Sequence, residues 1–295
     1  MKDNPLVSII CLCYNHELYL IESLNSILNQ SYQNTEIIIV DDFSSDNSPK
    51  IIKQWISQNK IGSFISNETN IGNTKSFNKA LKLSSGDYII DFATDDLLHP
   101  DFITCHLQNF KQKRNLNAGV SYCNVELINN DDKHLYYHFE VDANNQSIEK
   151  PKEGDIYKEL IHSYYLNPIG IFIKREVLEH LDGYDESLLY EDVDFWIRSS
   201  RSYPYIYVDK VLAKKRILTT ALSAKFKEGG KKQGLMGRST YKICKKAFYL
   251  NKHKLEYEAL VNRCTYECKL ALKNKDFSLA SRFFILMLKG IIKSI

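Results

Sequence analysis

The chain has 295 residues, of which 44% are hydrophobic and 25% charged. This length and composition allow a sizeable buried core and exclude extended disorder. The seven cysteines include no CxxC pair, which argues against a zinc or redox motif and favours a reducing compartment. No stretch reaches the roughly 20 apolar residues that cross a bilayer, and the polar first residues are unlike a signal peptide. We therefore expect a cytoplasmic protein.

Charge is distributed unevenly along the chain. The net charge is +3, but residues 225–295 carry 17 Lys and Arg against 5 Asp and Glu, whereas residues 1–224 carry 22 against 31. This asymmetry indicates two regions that face different partners. We predict an α/β domain over residues 1–224 and a basic α-helical region over residues 225–295.

The first region alternates short Ile- and Val-rich runs with longer segments of helical spacing, which predicts βαβ units and a mostly parallel sheet. In chain order the predicted elements are strand Val7–Cys13, helix Tyr19–Asn29, strand Glu36–Val40, helix Asp46–Lys60, strand Phe64–Ile65, helix Thr74–Leu83, strand Tyr88–Phe92, helix Pro100–Lys113, strand Ala118–Val125, strand Ile169–Lys174 and helix Val193–Ser200. Residues 129–153 are polar and aromatic, and we expect an insertion or a mobile loop there.

The strand pattern stops at about residue 227. Three segments then have helical spacing, namely Tyr241–Leu250, Lys254–Leu272 and Phe277–Ile292, and a polar turn separates the last two. This pattern predicts a helical hairpin or small bundle.

The basic helical region has two candidate partners. Its lysines and arginines could meet anionic lipid headgroups while apolar residues dip into the membrane surface. The apolar candidates are Phe283, Phe284, Ile285, Leu288, Ile291 and Ile292. Plain packing against the first region or against a second subunit is the alternative. No nucleic-acid motif is present, so we expect no nucleic-acid partner.

Pairs of aspartates follow two of the predicted strands. In open parallel sheets, ligands bind beyond the carboxyl ends of the strands. Asp41 and Asp42 follow the second strand, where they could accept hydrogen bonds from a nucleobase or ribose, or simply form a turn. Asp95 and Asp96 follow the fourth strand, and such hard oxygen ligands suit Mg²⁺ or Mn²⁺ with positions left for two phosphate oxygens.

A third acidic cluster begins the predicted helix at Val193. It contains Glu191, Asp192 and Asp194. The helix macrodipole favours any one acidic residue at such a start. A carboxylate fixed there could also serve as a general base.

Taken together, these segments resemble the family 2 inverting glycosyltransferases with the GT-A nucleotide-sugar fold. The resemblance covers about residues 7–216 and rests on several motifs in order: Val7–Asn15, Glu36–Asp42, Asn70–Gly72 with Asn78, Gly86–Ile89 leading to Thr94–Asp96, and Glu191–Asp192. It implies a three-layer α/β/α fold with a mostly parallel central sheet and, here, a C-terminal α-helical extension.

The resemblance implies a nucleotide pocket at matching positions. Asp42, with Asp41 beside it, would hold the nucleobase. The backbone around Leu12 would line the same pocket, together with Tyr14 and Asn70.

The resemblance also implies metal and catalytic roles. Asp95 would contact ribose and contribute to the metal site, and Asp96 would bind the Mn²⁺ or Mg²⁺ that bridges the donor diphosphate. Asp192 would be the catalytic base, with Glu191 shaping the acceptor side. Two departures matter: many relatives carry Asp at the position of Ala93, and residues 214–220 lack the late histidine that some relatives supply. The metal would therefore depend chiefly on Asp96.

The function implied is transfer of a sugar from a nucleotide-diphosphate donor, with UDP the expected nucleotide, to a hydroxyl of a glycan or lipid-linked acceptor. Bacterial surface polysaccharide, such as capsule or O-antigen, is the expected product. The absence of GxGxxG after any strand excludes a dinucleotide oxidoreductase. A nucleotidyltransferase remains an alternative, although residues 11–19 do not resemble a triphosphate-binding loop. An inactive nucleotide-sugar-binding module is the other alternative, and the oligomeric state is left open.

Overall fold

A computed structural model of the chain describes residues 3–218 and 231–295, without the side chains of residues 231–233. The described residues form two compact units. The first comprises residues 3–154, 167–184 and 203–217, and the second comprises residues 155–166, 185–202, 218 and 231–295. The predicted domain boundary between residues 224 and 225 lies outside the described residues and stays a prediction.

The secondary-structure elements alternate as the sequence pattern predicts. The strands are β1 (Val7–Cys13), β2 (Thr35–Asp41), β3 (Ser63–Ser66), β4 (Tyr88–Ala93), β5 (Leu97–Leu98), β6 (Val120–Ile128), β7 (His134–Tyr137), β8 (Ile171–Lys174) and β9 (Tyr205–Arg216). The helices are α1 (Leu20–Leu28), α2 (Ser48–Asn59), α3 (Asn73–Leu81), α4 (Phe102–Gln112), α5 (Tyr157–His162), α6 (Arg175–His180), α7 (Asp192–Ser200), α8 (Lys231–Leu250), α9 (Lys254–Lys273) and α10 (Phe277–Ser294).

All of these strands belong to the first unit and form one sheet. Its order is β3-β2-β1-β4-β8-β6-β9-β5, and β7 pairs with β6. The neighbours β3, β2, β1 and β4 are parallel, as are β6 and β9, whereas β8 runs antiparallel between β4 and β6. The prediction of a mostly parallel sheet is confirmed.

Helices cover both faces of the sheet. Side chains of α1, α2 and α4, such as Leu24, Trp55 and Phe102, join a buried cluster with Ile9 and Ile39 of the central strands. Helix α3 packs on the opposite face of β1 and β2. Every residue of β1 is therefore buried, which explains why this strand is a continuous apolar run with no alternation. The predicted three-layer α/β/α arrangement is confirmed.

The short elements β5 and α6 were not predicted, and two longer parts of the first unit also differ from the prediction. Residues 129–153, expected to be an insertion or mobile loop, contain β7, and Asn124 anchors the chain after it by two hydrogen bonds to the backbone of Phe139, at 2.7 and 2.9 Å. The long strand β9 was not predicted. Its apolar pattern is broken at Asp209 and Lys210, and its pairing with β6 is irregular near Asn124.

The C-terminal part of the second unit is helical, which confirms the predicted bundle. Helix α9 begins with a capping box in which the side chains of His253 and Glu256 satisfy backbone N–H groups. The side chain of Asp276 accepts a hydrogen bond from Leu279 N at 2.9 Å and so begins α10. Among the described residues, no helix is long and apolar enough to cross a membrane.

One residue proposed for membrane contact lies in the core of this bundle. Phe283 is fully buried, and its ring centroid lies 5.5 Å from that of Tyr241 in an edge-on contact. The prediction that Phe283 is available to a membrane is therefore wrong. Its position on the helix places it on the packed face, whereas its neighbour Phe284 is half exposed.

Candidate functional site

The polar residues that follow β1, β2 and β4 lie at one edge of the sheet. These strands are parallel neighbours, with Cys13 paired to Asp41 and Leu12 paired to Ala93. The loops after them therefore emerge side by side, at the carboxyl edge where α/β sheets bind ligands.

Asp42 is a buried carboxylate that organises the loop before α3. Its Oδ1 accepts hydrogen bonds from the Asn67 side chain and from Ile71 N, both at 2.9 Å, and its Oδ2 accepts one from Gly72 N at 2.8 Å. Gly72 has a φ of 88°, which glycine adopts without strain. Asn70 donates to the Asp42 carbonyl at 3.2 Å. The predicted pocket residues Asp42 and Asn70 are therefore in contact.

Asp41 is also buried, but its carboxylate is less well satisfied. Oδ2 accepts a hydrogen bond from Ser44 N at 3.1 Å. Oδ1 is buried without a hydrogen-bond partner among the described residues. A buried acceptor without a hydrogen-bond partner costs free energy. The carboxylate of Asp42 is therefore better satisfied by hydrogen bonds than that of Asp41.

The loop after β1 is tied to the loop after β4. The Leu12 carbonyl accepts hydrogen bonds from Thr94 N at 3.0 Å and from Thr94 Oγ1 at 3.2 Å. His16 Nδ1 lies 3.0 Å from Thr94 Oγ1, and its Nε2 lies 3.8 Å from Asp95 Oδ2. The side chain of Tyr14 is 48% exposed, which leaves its ring available to stack against a ligand.

Asp96 is positioned by a contact to Arg216, the last residue of β9. Its Oδ1 accepts a hydrogen bond from Arg216 N at 2.9 Å, and its carbonyl accepts one from Ser23 Oγ at 2.8 Å. Burial and then the neighbouring charge of Asp95 raise the pKa of the Asp96 carboxyl above its usual range, against the opposing effects of Lys215 and Arg216. Burial is thus the main factor that disfavours the ionised form of Asp96.

The side chain of Arg216 is buried and reaches five groups around this loop, one of which is the Asn129 carbonyl, at 3.4 Å. Nε donates to the Asp95 carbonyl at 3.1 Å, and the guanidinium also pairs with Glu22, at 3.1 Å, and with Asp132. It also lies over the Tyr19 ring, 4.5 Å from the centroid. Arg216 therefore fixes the backbone of Asp95 and the carboxylate of Asp96 together.

The donor set of Asp95 and Asp96 fits a divalent cation. Mg²⁺ in phosphate sites is typically held by one or two carboxylates together with substrate phosphates and water. Within the described ranges, no group of three or more His, Cys, Asp or Glu side chains could enclose a metal ion. Asp95 and Asp96 alone would leave most coordination positions to a ligand and to water, and a bound cation would add positive charge beside the Asp96 carboxylate.

Asp192 and Glu191 belong to the second unit. Asp192 is the first residue of α7, and its Oδ1 accepts a hydrogen bond from Val193 N at 2.8 Å. Its Oδ2 accepts one from the hydroxyl of Tyr164, whose ring packs 5.2 Å from Trp196. Glu191 precedes the helix, and its carbonyl accepts from Phe195 N at 2.9 Å. Both side chains are partly buried.

The third acidic residue of this cluster has a structural role. Asp194 is buried and accepts hydrogen bonds from Arg198 Nε and from Lys246 Nζ, both at 2.6 Å. Lys246 also donates to Asp185 Oδ2 at 2.5 Å. Partial burial opposes ionisation of Asp185, but hydrogen bonds from Lys246 and Ser187 outweigh it and lower the pKa to about 2.

The turn that leads towards this cluster is fixed within the first unit. Asn78 Nδ2 donates to the Tyr184 carbonyl at 2.8 Å, and its Oδ1 accepts from Tyr184 N at 2.9 Å. A Cβ at Gly183, whose φ is 71°, would lie 2.6 Å from Asn78 Oδ1. Glycine is therefore required for this close approach.

The predicted site residues fall into two groups. Asp41, Asp42, Asn70, Leu12, Tyr14, Asp95 and Asp96 share one edge of the first unit, whereas Asp192 and Glu191 lie in the second unit. The roles of all nine stay predictions. Three residues with contacts at these sites, His16, Tyr164 and Arg216, were not predicted from the sequence. Of these three, only His16 stands next to a motif that the sequence singles out, because it directly follows Val7–Asn15.

Comparison with known proteins identifies the family. The profile of Glycosyl transferase family 2 matches residues 8–181. An uncharacterised glycosyltransferase of Methanocaldococcus jannaschii is 30% identical over 224 residues, which are 73% of this chain and 72% of that protein. One from Rickettsia typhi is 32% identical over 221 residues, which are 74% of this chain and 66% of that protein. The chain belongs to glycosyl transferase family 2.

Solved structures share the fold. A fragment of S. aureus TarS in complex with UDP-GlcNAc has a TM-score of 0.69 at 18% identity, over 96% of this chain and 81% of that one. The mannosyltransferase PcManGT of Pyrobaculum calidifontis, in complex with GDP-Man and Mn²⁺, has a TM-score of 0.61 at 15% identity, over 99% and 87%. The expected GT-A fold with C-terminal helices is confirmed.

Proposed function

We propose that this glycosyltransferase moves a sugar from a UDP-sugar to an acceptor hydroxyl, with a divalent metal and with inversion at the anomeric carbon. The observation that carries the proposal is the pair Asp95 and Asp96, fixed at the carboxyl edge of the sheet by Arg216. Such a pair is suited to a metal-bound diphosphate.

The nucleotide would bind at the loops after β1 and β2. The carboxylate of Asp42 already orients the N–H groups of Ile71 and Gly72, which gives the pocket wall a fixed shape. Asp41 and Asn70 would complete the contacts to the base beside Leu12, and Tyr14 would stack on the base. The TarS fragment was solved with UDP-GlcNAc, which supports a uridine nucleotide here.

The diphosphate would bind beside Asp96. A bound Mn²⁺ or Mg²⁺ would neutralise charge that develops on the leaving diphosphate, an effect worth several kcal/mol in other enzymes. Asp96 would hold that ion, and Asp95 would share it while contacting the ribose. His16, 3.8 Å from Asp95 Oδ2, would keep the Asp95 carboxylate in place. PcManGT was solved with GDP-Man and Mn²⁺, which supports a divalent metal in this fold.

Proton removal from the acceptor would fall to Asp192. The Tyr164 hydroxyl and Val193 N each bind one oxygen of its carboxylate, so its orientation is set before an acceptor arrives. Glu191 would shape the acceptor side. Attack from the face opposite the leaving group inverts the anomeric centre, and general-base assistance typically contributes about 10²–10⁴-fold in rate. A glycan or lipid-linked acceptor in bacterial surface polysaccharide synthesis is the proposed context.

A screen of nucleotide sugars tests this proposal. Thermal unfolding is followed with UDP-GlcNAc, UDP-glucose, UDP-galactose and GDP-mannose, each with Mn²⁺ and each with EDTA. We expect a UDP-sugar to raise the melting temperature only with Mn²⁺, since ligand at one hundred times its Kd adds about 2.7 kcal/mol. The same sugar should be hydrolysed with release of UDP.

Other outcomes would contradict the proposal in distinct ways. Pyrophosphate release from a nucleoside triphosphate would indicate a nucleotidyltransferase. Stabilisation by a UDP-sugar without any turnover, with or without acceptor glycans, would indicate a binding module. Stabilisation by GDP-mannose alone would reject the uridine nucleotide.

A further inference from the structure

Helix α10 has one face that is packed within the helical bundle. Leu279, Ala280, Phe283, Leu286 and Gly290 are buried on this face. A Cβ at Gly290 would lie 2.8 Å from a methyl group of Val261 on α9, so the two helices touch at this point. This face accounts for the internal packing of α10.

The opposite side of α10 exposes a continuous apolar stripe. It consists of Phe284, Ile285, Leu288, Ile291 and Ile292, whose exposed fractions run from 38% to 71%. Their spacing of three and four residues puts them on one side of the helix. We call this stripe the exposed apolar face of α10. Five large side chains in one stripe are more than the scattered apolar residues of an ordinary surface.

Basic residues flank the exposed apolar face of α10. Arg282, Lys289 and Lys293 are exposed and occupy the adjacent strip of the helix surface, at about 100° per residue. The helix contains no acidic residue. Most acidic groups nearby are already engaged, as Glu267 pairs with Arg263 and Asp276 caps α10.

This combination of charge and apolar surface distinguishes between two possible partners of the face, a second copy of the chain and a membrane surface. A symmetric dimer would place the same face on both copies, so the basic strips would meet without an acidic partner on α10. An anionic lipid surface instead complements the basic strip and accepts the apolar side chains. We propose that the exposed apolar face of α10 binds the surface of a membrane that contains anionic lipids, with the helix lying in the interface. The inference does not depend on the proposed transfer chemistry.

Vesicle co-sedimentation of the full chain tests the proposal. One set of vesicles is phosphatidylcholine alone, and the other contains equal parts of phosphatidylcholine and phosphatidylglycerol. We expect binding to the anionic vesicles only, and weaker binding as salt rises. Lys289→Gln and Lys293→Gln should each lower the partition coefficient about fivefold. Leu288→Glu and Ile292→Glu should each lower it roughly tenfold or more.

The matched control is Leu83→Glu, an exposed leucine of the first unit, which should bind like the unmodified chain. Equal sedimentation of Leu288→Glu, Ile292→Glu and the unmodified chain would overturn the proposal. Equal binding to both kinds of vesicle would do so too. A dimer that Ile292→Glu converts to a monomer would instead assign the face to a second copy.

Donor binding, measured on the same samples, keeps the two proposals apart. Leu288→Glu and Ile292→Glu should keep the donor response of the unmodified chain, because both are surface changes on α10. A chain that hydrolyses a UDP-sugar without binding vesicles would overturn only the membrane inference. A chain that binds anionic vesicles without any donor response would overturn only the proposed function.

Discussion

Arg216 N donates a hydrogen bond to Asp96 Oδ1 at 2.9 Å, although 120 residues separate the two in sequence. The Arg216 side chain turns back to the Asp95 carbonyl at 3.1 Å. The last strand of the sheet therefore positions both residues of the proposed metal site. Arg216 is thus a positioning residue for this loop: its backbone N–H binds the Asp96 carboxylate, and its side chain binds the Asp95 carbonyl.

Arg216→Ala keeps the backbone N–H that binds Asp96 but removes the side-chain hydrogen bond to the Asp95 carbonyl. We predict that this loss weakens the apparent affinity for Mn²⁺ roughly 10–100-fold, the range found when a group that orients a metal ligand is removed. The measurement is donor hydrolysis as a function of Mn²⁺ concentration. The control is Lys214→Ala, which removes an exposed lysine that pairs with Glu126 and should leave the Mn²⁺ dependence unchanged. An unchanged Mn²⁺ requirement in a folded Arg216→Ala protein would argue against the positioning role.

We predict that Asp42→Asn lowers the free energy of unfolding more than Asp41→Asn does. An amide at position 42 has one acceptor oxygen and cannot replace a carboxylate that accepts three hydrogen bonds. Loss of the Asp42 carboxylate should lower the free energy of unfolding by about 2–3 kcal/mol. Asp41→Asn removes a charge whose Oδ1 is buried without a partner in the described structure, so it should cost less. Urea unfolding of both variants measures the two losses of free energy. Equal losses would contradict this prediction.

We predict that Asp192→Asn lowers turnover about 10²–10⁴-fold while donor binding stays nearly unchanged, because only the general base is lost. The control is Asp194→Asn. It breaks contacts to Arg198 and Lys246 and should lower the free energy of unfolding by about 2 kcal/mol, less than for a fully buried pair. Steady-state kinetics and thermal unfolding separate the two effects. An Asp192→Asn enzyme with normal turnover would remove Asp192 from the role of base.

We predict that Asp185 makes folding stability depend on pH in the acid range. Folding lowers its pKa from 3.8 to about 2, so the unfolded state binds more protons between these values. Its stabilisation is present above pH 3.8 and is lost as the pH falls towards 2. The free energy of unfolding, measured with urea across this pH range, should have a smaller slope against pH for Asp185→Asn than for the unmodified chain. Identical slopes would contradict this assignment.

Much of the fold could be predicted from local patterns. The apolar runs of β1, β2 and β4 are buried on both faces and therefore visible in sequence. The C-terminal helices were predicted from apolar spacing and the polar turn before Asp276. By contrast, β9 was missed because Asp209 and Lys210 interrupt its pattern. The burial of Phe283 could not be predicted either, since residues 283–288 of α10 are all apolar and only packing distinguishes them.

The candidate site could be predicted only in part. Asp42 and Asp96 were found because acidic residues after apolar strands indicate a ligand edge. Arg216 and His16 were missed because their contacts to the loop after β4 are long-range and depend on the order of strands in the sheet. Tyr164 lies 28 residues before Asp192 in a segment with no distinctive pattern. Such partners become visible only when the chain is folded.

The most direct test of the central claim is the effect of Mn²⁺ on donor binding to Asp96→Asn, measured by calorimetry and thermal unfolding. A neutral amide suits this buried position, because burial already raises the pKa of Asp96, so the variant should fold. We predict that UDP-sugar binding in the unmodified chain requires Mn²⁺ and that Asp96→Asn loses the Mn²⁺-dependent part. Equal Mn²⁺-dependent binding by Asp96→Asn and the unmodified chain would contradict the account.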